Sequence, residues 1–298
     1  MRALLLLAAL AACTPDFAAP SDVTDLRVLA IRADPPEAQF DLDAGTIDPV
    51  HVTVLAVDPP RKDNFATMVS QLCGQTDSRR CDGGGVAFPL GTQTRQGGET
   101  FSLDIVLPKG TLDAGVAADA LGGLGGIRVQ LSVAIDDGDP NAPLFASKTI
   151  LYSPKGTPPN HNPLMTGVQL SQQGADAGTL LPDQPPSDKC ELPGCLKLTP
   201  GVQVGLRPIL APDAREEYDT TDLRGNTVHL KEDPGYSFFV TDGGGIDRDT
   251  ADEPLDGVAP PDGLSRIDAI SGASGTLWIV VRDGRGGESW LSYPWSTF

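Results

Sequence analysis

Histidine occurs three times in 298 residues, and none of the three accompanies a nucleophile motif. Serine- and cysteine-hydrolase chemistry needs a base set against a nucleophile, so this scarcity weighs against it. The stretch Gly272-Ala273-Ser274-Gly275 lacks the G-x-S-x-G spacing of a nucleophile elbow. Basic residues are also few: 22 Lys and Arg face 40 Asp and Glu, a formal net charge of −18. Phosphate backbones and anionic lipid surfaces repel such a chain, which excludes nucleic acid as a partner and electrostatic adhesion as a membrane anchor. The glycines of residues 122–126 bring no phosphate-loop lysine, and Arg128 stands where a dinucleotide fingerprint needs its third glycine. Aromatic residues make up only 5 % of the chain, whereas Gly numbers 34 and Pro 27. That composition disfavours long helices and favours short strands joined by turns. Beyond residue 13 no apolar run is long enough to span a bilayer as a helix.

What is present begins at the amino end. Arg2 precedes a short apolar run, and Leu10-Ala11-Ala12-Cys13 closes it with small residues before a cysteine. The run is too short for a spanning helix and fits a secretory signal. The tetrapeptide resembles the lipobox of bacterial lipoproteins, in which the cysteine is acylated and becomes the mature amino terminus. The resemblance implies lipidation at Cys13. The alternative is an ordinary secretory signal cut elsewhere. Several acyl chains anchor firmly, because each buried methylene contributes about 0.8 kcal/mol. Thr14, rather than aspartate, follows the cysteine. That resembles lipoproteins of the outer membrane. The partners expected are therefore the membrane, through the lipid, and an envelope protein or glycan.

Four cysteines remain: Cys73, Cys81, Cys190 and Cys195. An even count in an exported chain suggests disulfides, of which three pairings are possible. Sequence separation favours Cys73–Cys81 and Cys190–Cys195. The rival is a zinc site, but neither His161 nor His229 stands at finger spacing.

The hydropathy pattern predicts an all-β fold: two Ig-like antiparallel β-sandwich domains in tandem after a lipoprotein signal peptide, with one short helix near residues 63–73. The expected organisation is a signal peptide at 1–12, a lipidated tether at 13–25, a first domain at 26–152, a Pro-rich linker at 153–163 and a second domain at 164–298. Strands are expected at 26–31, 50–57, 101–107, 127–135 and 144–152. Residues 127–135 carry the clearest alternation, with Ile127, Val129, Leu131, Val133 and Ile135 on one face. Phe65, Met68, Val69 and Leu72 fall at i, i+3, i+4 and i+7, hence the expected helix. In the second half strands are expected at 202–210, 227–230 and 236–241, with long loops at 171–200 and 242–261. The last hairpin, 276–282 and 288–293, flanks Asp283-Gly284-Arg285-Gly286-Gly287, whose glycines permit positive φ.

The segments LRVLAIRADPPE (26–37), EEY (216–218) with YSFFVTDGG (236–244), and WIVVRDGRGG (278–287) resemble a group of predicted lipoproteins of myxobacteria and related bacteria. The last hairpin also resembles the closing strands of Ig-like and PKD-like surface domains. These resemblances imply a fold and a location, and carry no catalytic residue.

Two acidic clusters could hold Ca²⁺, whose ligands are hard oxygens. One is Asp136, Asp137, Asp139 and Asn141; the other is Asp247, Asp249, Asp252 and Glu253. Neither matches the EF-hand loop: counting from Asp137, the sixth place is Ala142 and the twelfth Lys148. No other cofactor is expected. Trp278, on the opposite strand face from Leu277 and Ile279, is expected to pack in a core or interface. The reading is a non-enzymatic, lipid-anchored envelope protein that binds or spaces a protein or glycan partner. Its alternative is a hydrolase of envelope or extracellular polymers working through a carboxylate pair.

Overall fold

The computed structural model describes residues 18–74, 80–82, 87–118, 125–139, 142–182, 184, 190–221, 226–255 and 257–297. Cys13 and Asn141 lie outside them, so the lipidation site and one expected Ca²⁺ ligand receive no structural account. The chain is all-β, as the alternation and the turn residues predict.

The first half contributes β1 (Asp22–Val23), β2 (Arg27–Asp34), β3 (Glu37–Asp41), β4 (Thr46–Ile47), β5 (Val50–Val57), β6 (Phe65–Gly74), β7 (Phe88–Gln96), β8 (Thr100–Ile105), helix α1 (Lys109–Ala118), β9 (Ile127–Asp136) and β10 (Leu144–Pro154). A three-stranded sheet, β2-β5-β8, packs on a six-stranded sheet, β4-β3-β10-β9-β6-β7. Every second residue of β5, β8 and β9 enters one core: Val50, Val52 and Val54 meet Phe101, Leu103 and Ile105, and these meet Leu131, Val133 and Ile135. A one-residue slip would turn each set to solvent, so burial fixes the register.

Residues 63–73 are not helical. Residues 65–74 form β6, a central strand paired with β7 on one side and β9 on the other. The four apolar residues that made a helical stripe split into two pairs. Met68 and Leu72 face the core, whereas Phe65 and Val69 face solvent. A spacing of four is even, so each pair shares a face in either structure, and only the pairing partners decide between them. The helix falls instead at α1, where Leu112 and Val116 reach the core at i and i+4. A Cβ on Gly115 would stand 2.8 Å from Ile127 Cγ2, so glycine lets α1 approach β9 closely.

The second half contributes β11 (Met165–Gln172), β12 (Ala175–Leu180), β13 (Leu196–Leu198), β14 (Val204–Leu210), β15 (Glu217–Thr221), β16 (Thr227–Lys231), β17 (Gly235–Thr241), β18 (Gly244–Ile246), β19 (Thr250–Asp252), β20 (Ser265–Ala269), β21 (Ser274–Arg282) and β22 (Glu288–Thr297). The sheet β12-β11-β14-β20-β18 packs against β1-β17-β21-β22-β13, and β15 and β16 form a separate hairpin. The expected loops at 171–200 and 242–261 are therefore broken by strands. β12 and β13 occupy part of the first, β18 and β19 part of the second. Ala175–Leu180 and Gly244–Ile246 are Gly- and Ala-rich, which hides them from an alternation rule, yet neighbouring strands supply their ladder bonds. Both local disulfides form, Cys73–Cys81 and Cys190–Cys195.

The two sandwiches meet along a buried seam. β1, within the expected tether, runs parallel to β17 in the second-half sheet before the chain enters the first sandwich. Val23, Leu29, Ala30, Leu55 and Val57 pack against Trp278 and Val280 there. The Pro-rich stretch 153–163 is part of this seam. Asn160, fully buried, donates through its side chain to Asp283 at 2.8 Å and through its backbone to Glu37 at 3.2 Å. Asn162 donates to the Ala33 carbonyl at 2.7 Å and accepts from the Glu288 N–H at 2.9 Å. The Arg285 guanidinium reaches Glu37 at 3.1 Å, Glu232 at 3.2 Å and Glu216 at 3.3 Å. Burial holds the Glu232 carboxyl above its ordinary range, the nearby Asp283 and Glu216 carboxylates add to this, and Arg285 opposes it.

Candidate functional site

A cleft of about 400 Å³ opens beside this seam, with walls from both halves. Val57 and Trp278 form its apolar side; Asp58, Arg61, Arg95 and Glu99 form its polar side. The Trp278 indole N–H donates to the Glu99 carboxylate at 2.9 Å, so a tryptophan of the second half is fastened to the first. Trp278 is 1 % exposed, which places it in the interface and not at an open stacking surface.

The floor of the cleft is acidic. β5 ends at Val57, and Asp58 turns inward. The single 3₁₀ turn Pro59–Arg61 then folds the chain back, bringing Arg61 to 3.2 Å from the Asp58 carboxylate. Prolines suit this turn because their fixed φ and missing N–H cost nothing there. From the other side, the strand alternation of β9 splits the expected acidic cluster. Asp136 points to solvent and caps the Gly138 N–H at 2.9 Å, while Asp137 points into the protein. Asp137 Oδ1 accepts the Asp139 N–H at 3.0 Å, and Asp139 accepts from Arg61 at 2.6 Å. Arg61 lies 3.8 Å from Asp137 Oδ2.

Asp58 Oδ1 and Asp137 Oδ2 are both closed from solvent, and the two carboxyl groups lie within hydrogen-bond reach of each other, so a proton on Asp58 is shared with Asp137. Burial, then the adjacent Asp137 carboxylate, push the Asp58 carboxyl up to about 6, against the pull of Arg61. Asp58 and Arg61 were legible in the sequence only as the end of a strand and a turn. Their spacing from Asp137 along the chain gave no motif.

The other expected ligands are dispersed. Asp247 accepts from Arg266 Nε at 2.8 Å and from the Arg266 backbone N–H at 2.6 Å, and Glu253 accepts the Tyr236 hydroxyl at 2.6 Å. Asp252 sits on β19. The Asp249 carbonyl accepts the Phe238 N–H at 2.8 Å. Among the described residues no three His, Cys, Asp or Glu side chains converge as a metal cage. Each histidine meets a carboxylate: His51 meets Asp104 at 2.7 Å, His229 meets Asp219 at 3.0 Å, and His161 meets Glu216.

A second surface feature lies on the outer face of the six-stranded sheet. Val69 of β6, Ala134 of β9 and Phe145 of β10 stand directly opposite one another across three strands. Phe65 is 60 % exposed and Val69 51 %, and Pro143 borders the same depression.

No family model and no curated relative matches the chain. One solved structure aligned with it is that of red sea bream transglutaminase. The alignment covers 93 % of this chain and 32 % of that one, at 11 % identity and a TM-score of 0.26. The chain thus spans about a third of that protein's length, and a likeness this slight carries no inference about function. The two disulfides do bear on location, because such bonds persist in extracellular or periplasmic compartments. Among the described residues no helix is long and apolar enough to cross a membrane.

Proposed function

We propose that the protein is a non-enzymatic, lipid-anchored module of the bacterial envelope, held at the outer membrane through Cys13, which presents the outer face of its six-stranded sheet to a protein partner. The observation that carries the binding role is the ladder Val69–Ala134–Phe145 with Phe65 beside it. Apolar side chains gathered on an open sheet face are uncommon on isolated proteins and are typical of contact surfaces. The anchor rests on Leu10-Ala11-Ala12-Cys13, and the exported location agrees with the two disulfides. The buried seam suits a post that holds its binding face at a set distance from the membrane. The non-enzymatic reading is supported by the sequence, in which none of the three histidines accompanies a nucleophile motif.

Two measurements test this. Mass spectrometry of the processed native protein should find acyl chains on an amino-terminal Cys13; an unmodified cysteine, or a mature terminus elsewhere, overturns the anchor. A photo-crosslinker at position 69 should capture a defined partner in intact cells, and one at the exposed position 104 should not. Equal capture from both positions overturns the binding face.

A further inference from the structure

The edges of the sheets are not finished alike. β2, at the rim of the three-stranded sheet, is covered by side chains of the second half. Glu288 accepts the Ile31 N–H at 2.9 Å, Arg282 donates to the Leu29 carbonyl at 2.8 Å, and Asn162 donates to the Ala33 carbonyl at 2.7 Å. β7, at the rim of the six-stranded sheet, pairs with β6 alone among the described residues. The Gly97 N–H donates to the Asn64 carbonyl, in step with Phe65 opposite Gln96. Bonded and non-bonded pairs alternate along an antiparallel ladder. Gln93 and Arg95 therefore spend their main-chain groups on β6, while Thr92, Thr94 and Gln96 turn theirs away from it. Pro89 and the positive-φ Gly91, beside a register shift, blunt the start of the strand, so the open run is 92–96. The other long uncovered edges each carry an acid, Asp104 on β8 and Asp176 on β12. β7 and its neighbour β6 carry none, in a chain with 40.

We propose that β7 pairs antiparallel with β7 of a second copy of this chain, about a two-fold axis at Thr94, joining the two six-stranded sheets into one. An open edge is a template for another strand, and a two-fold contact must be complementary to itself. This edge is. With Thr94 opposite Thr94 of the second copy, Thr92 meets Gln96 and Gln96 meets Thr92, and each pair exchanges two main-chain hydrogen bonds. Facing threonines also hydrogen-bond through their side chains. On the other face Arg95 meets Gln93. A shift that set Thr94 opposite Gln96 would bring Arg95 against Arg95, and like charges directly opposite destabilise a pair, so charge selects the register. Charge selects the occupant too. A basic partner would gain from acids at its contact, whereas an edge cleared of them suits a partner as acidic as this chain, with its net charge of −18. So short a contact falls at the small end of interfaces, which makes the dimer weak. The proposal concerns the strand edge and stands or falls apart from the lipid anchor and the outer sheet face.

The protein itself is the probe. The full mature chain, carrying Cys13→Ser to remove its one unpaired thiol, should sediment as a monomer–dimer equilibrium with a dissociation constant between about 1 μM and 1 mM. Added NaCl should strengthen the association, because it screens the repulsion between two acidic chains. Thr94→Pro removes an N–H that faces away from β6, so it should abolish the dimer and spare the β6–β7 ladder. Thr94→Asp, which sets two carboxylates opposite each other, should weaken association at least tenfold and decides if the proline variant does not fold. Cysteines report the register, since Cα atoms of a bonded antiparallel pair lie about 5.5 Å apart, within disulfide reach. Under mild oxidation Thr94→Cys should link to itself. Thr92→Cys should not, but should link to Gln96→Cys when the two are mixed. Ser102→Cys, on the edge strand β8, should stay monomeric. A monomer at about 1 mM protein, which would leave the edge to a strand of another protein or to none, overturns the proposal. So does a dimer that both Thr94 variants leave intact, or one that links through position 92 or 102 as readily as through 94.

Discussion

Glu288, the first residue of β22, accepts the backbone N–H of Ile31 in β2 at 2.9 Å, although 257 positions separate them in the chain. The same carboxylate accepts from Lys148 at 2.9 Å and from Arg282 at 3.1 Å, and it is nearly buried. One side chain thus ties the last strand to both sheets of the first sandwich. Replacing it by alanine strands the Lys148 ammonium and the Ile31 N–H together. Glu288→Ala should lower the unfolding free energy by about 3–5 kcal/mol, the range for breaking a buried pair. Glu288→Gln should cost less, since an amide oxygen still accepts from Ile31. Urea unfolding of the two variants checks the order, and near-neutral effects from both would remove the seam as a source of stability.

Gly287 tests the same seam through space. A Cβ there would stand 2.1 Å from Asp283 Oδ2 and 2.8 Å from the His161 carbonyl. Asp283 cannot move aside cheaply, because its other oxygen accepts the N–H groups of Arg285, Gly286 and Gly287. Gly287→Ala should destabilise the protein by about 1–3 kcal/mol, as overpacking does. Gly284→Ala meets no atom within 4 Å and is strained only through its positive φ of 82°. Thermal melts should rank the first below the second.

Asp58 gives a pH dependence of defined sign. Its carboxyl is raised from 3.8 to about 6 in the folded protein. The folded state therefore holds this proton where the unfolded chain has lost it. The resulting stability is fully present below about pH 4 and lost as pH rises through about 6. The stability difference between wild type and Asp58→Asn should move against the wild type across that window. A difference that stays flat from pH 4 to 7 would show that the carboxyl is not raised.

The disulfides close short loops, eight and five residues apart. Loop-closure entropy at those lengths is worth about 2 kcal/mol each. Cys190→Ser with Cys195→Ser should lower stability by that order without abolishing folding, because Leu196 and Leu198 still anchor β13 in the core. Complete unfolding of this variant would mean that the bridge, and not the core, holds the strand.

On the outer sheet face, Phe65→Ser combined with Val69→Thr removes exposed apolar surface while keeping a β-branched residue in β6. Stability should change by no more than about 0.5 kcal/mol, as for other exposed positions. Crosslinking from a probe at position 67 should fall at least severalfold. Undiminished capture would move the partner's footprint elsewhere.

The strands of clear alternation were legible from residues alone. Residues 127–135 read as one core-facing strand and are one, because a period of two with a polar face has a single stable placement. The local disulfides and the closing hairpin were legible for a similar reason: their partners are close in sequence, so little else competes. Residues 65–72 were not, since their spacing satisfies two periods and the choice belongs to β7 and β9. Nor was the candidate site. Asp137 was visible within an acidic run, but which aspartate turns inward depends on strand phase, and Asp58 joins it only when β5 and β9 enter facing sheets. Local chemistry determined the ribbons, their turns and their cross-links. Tertiary packing decided which charges were taken out of water and what they met there, because burial depends on neighbours that lie far off along the chain.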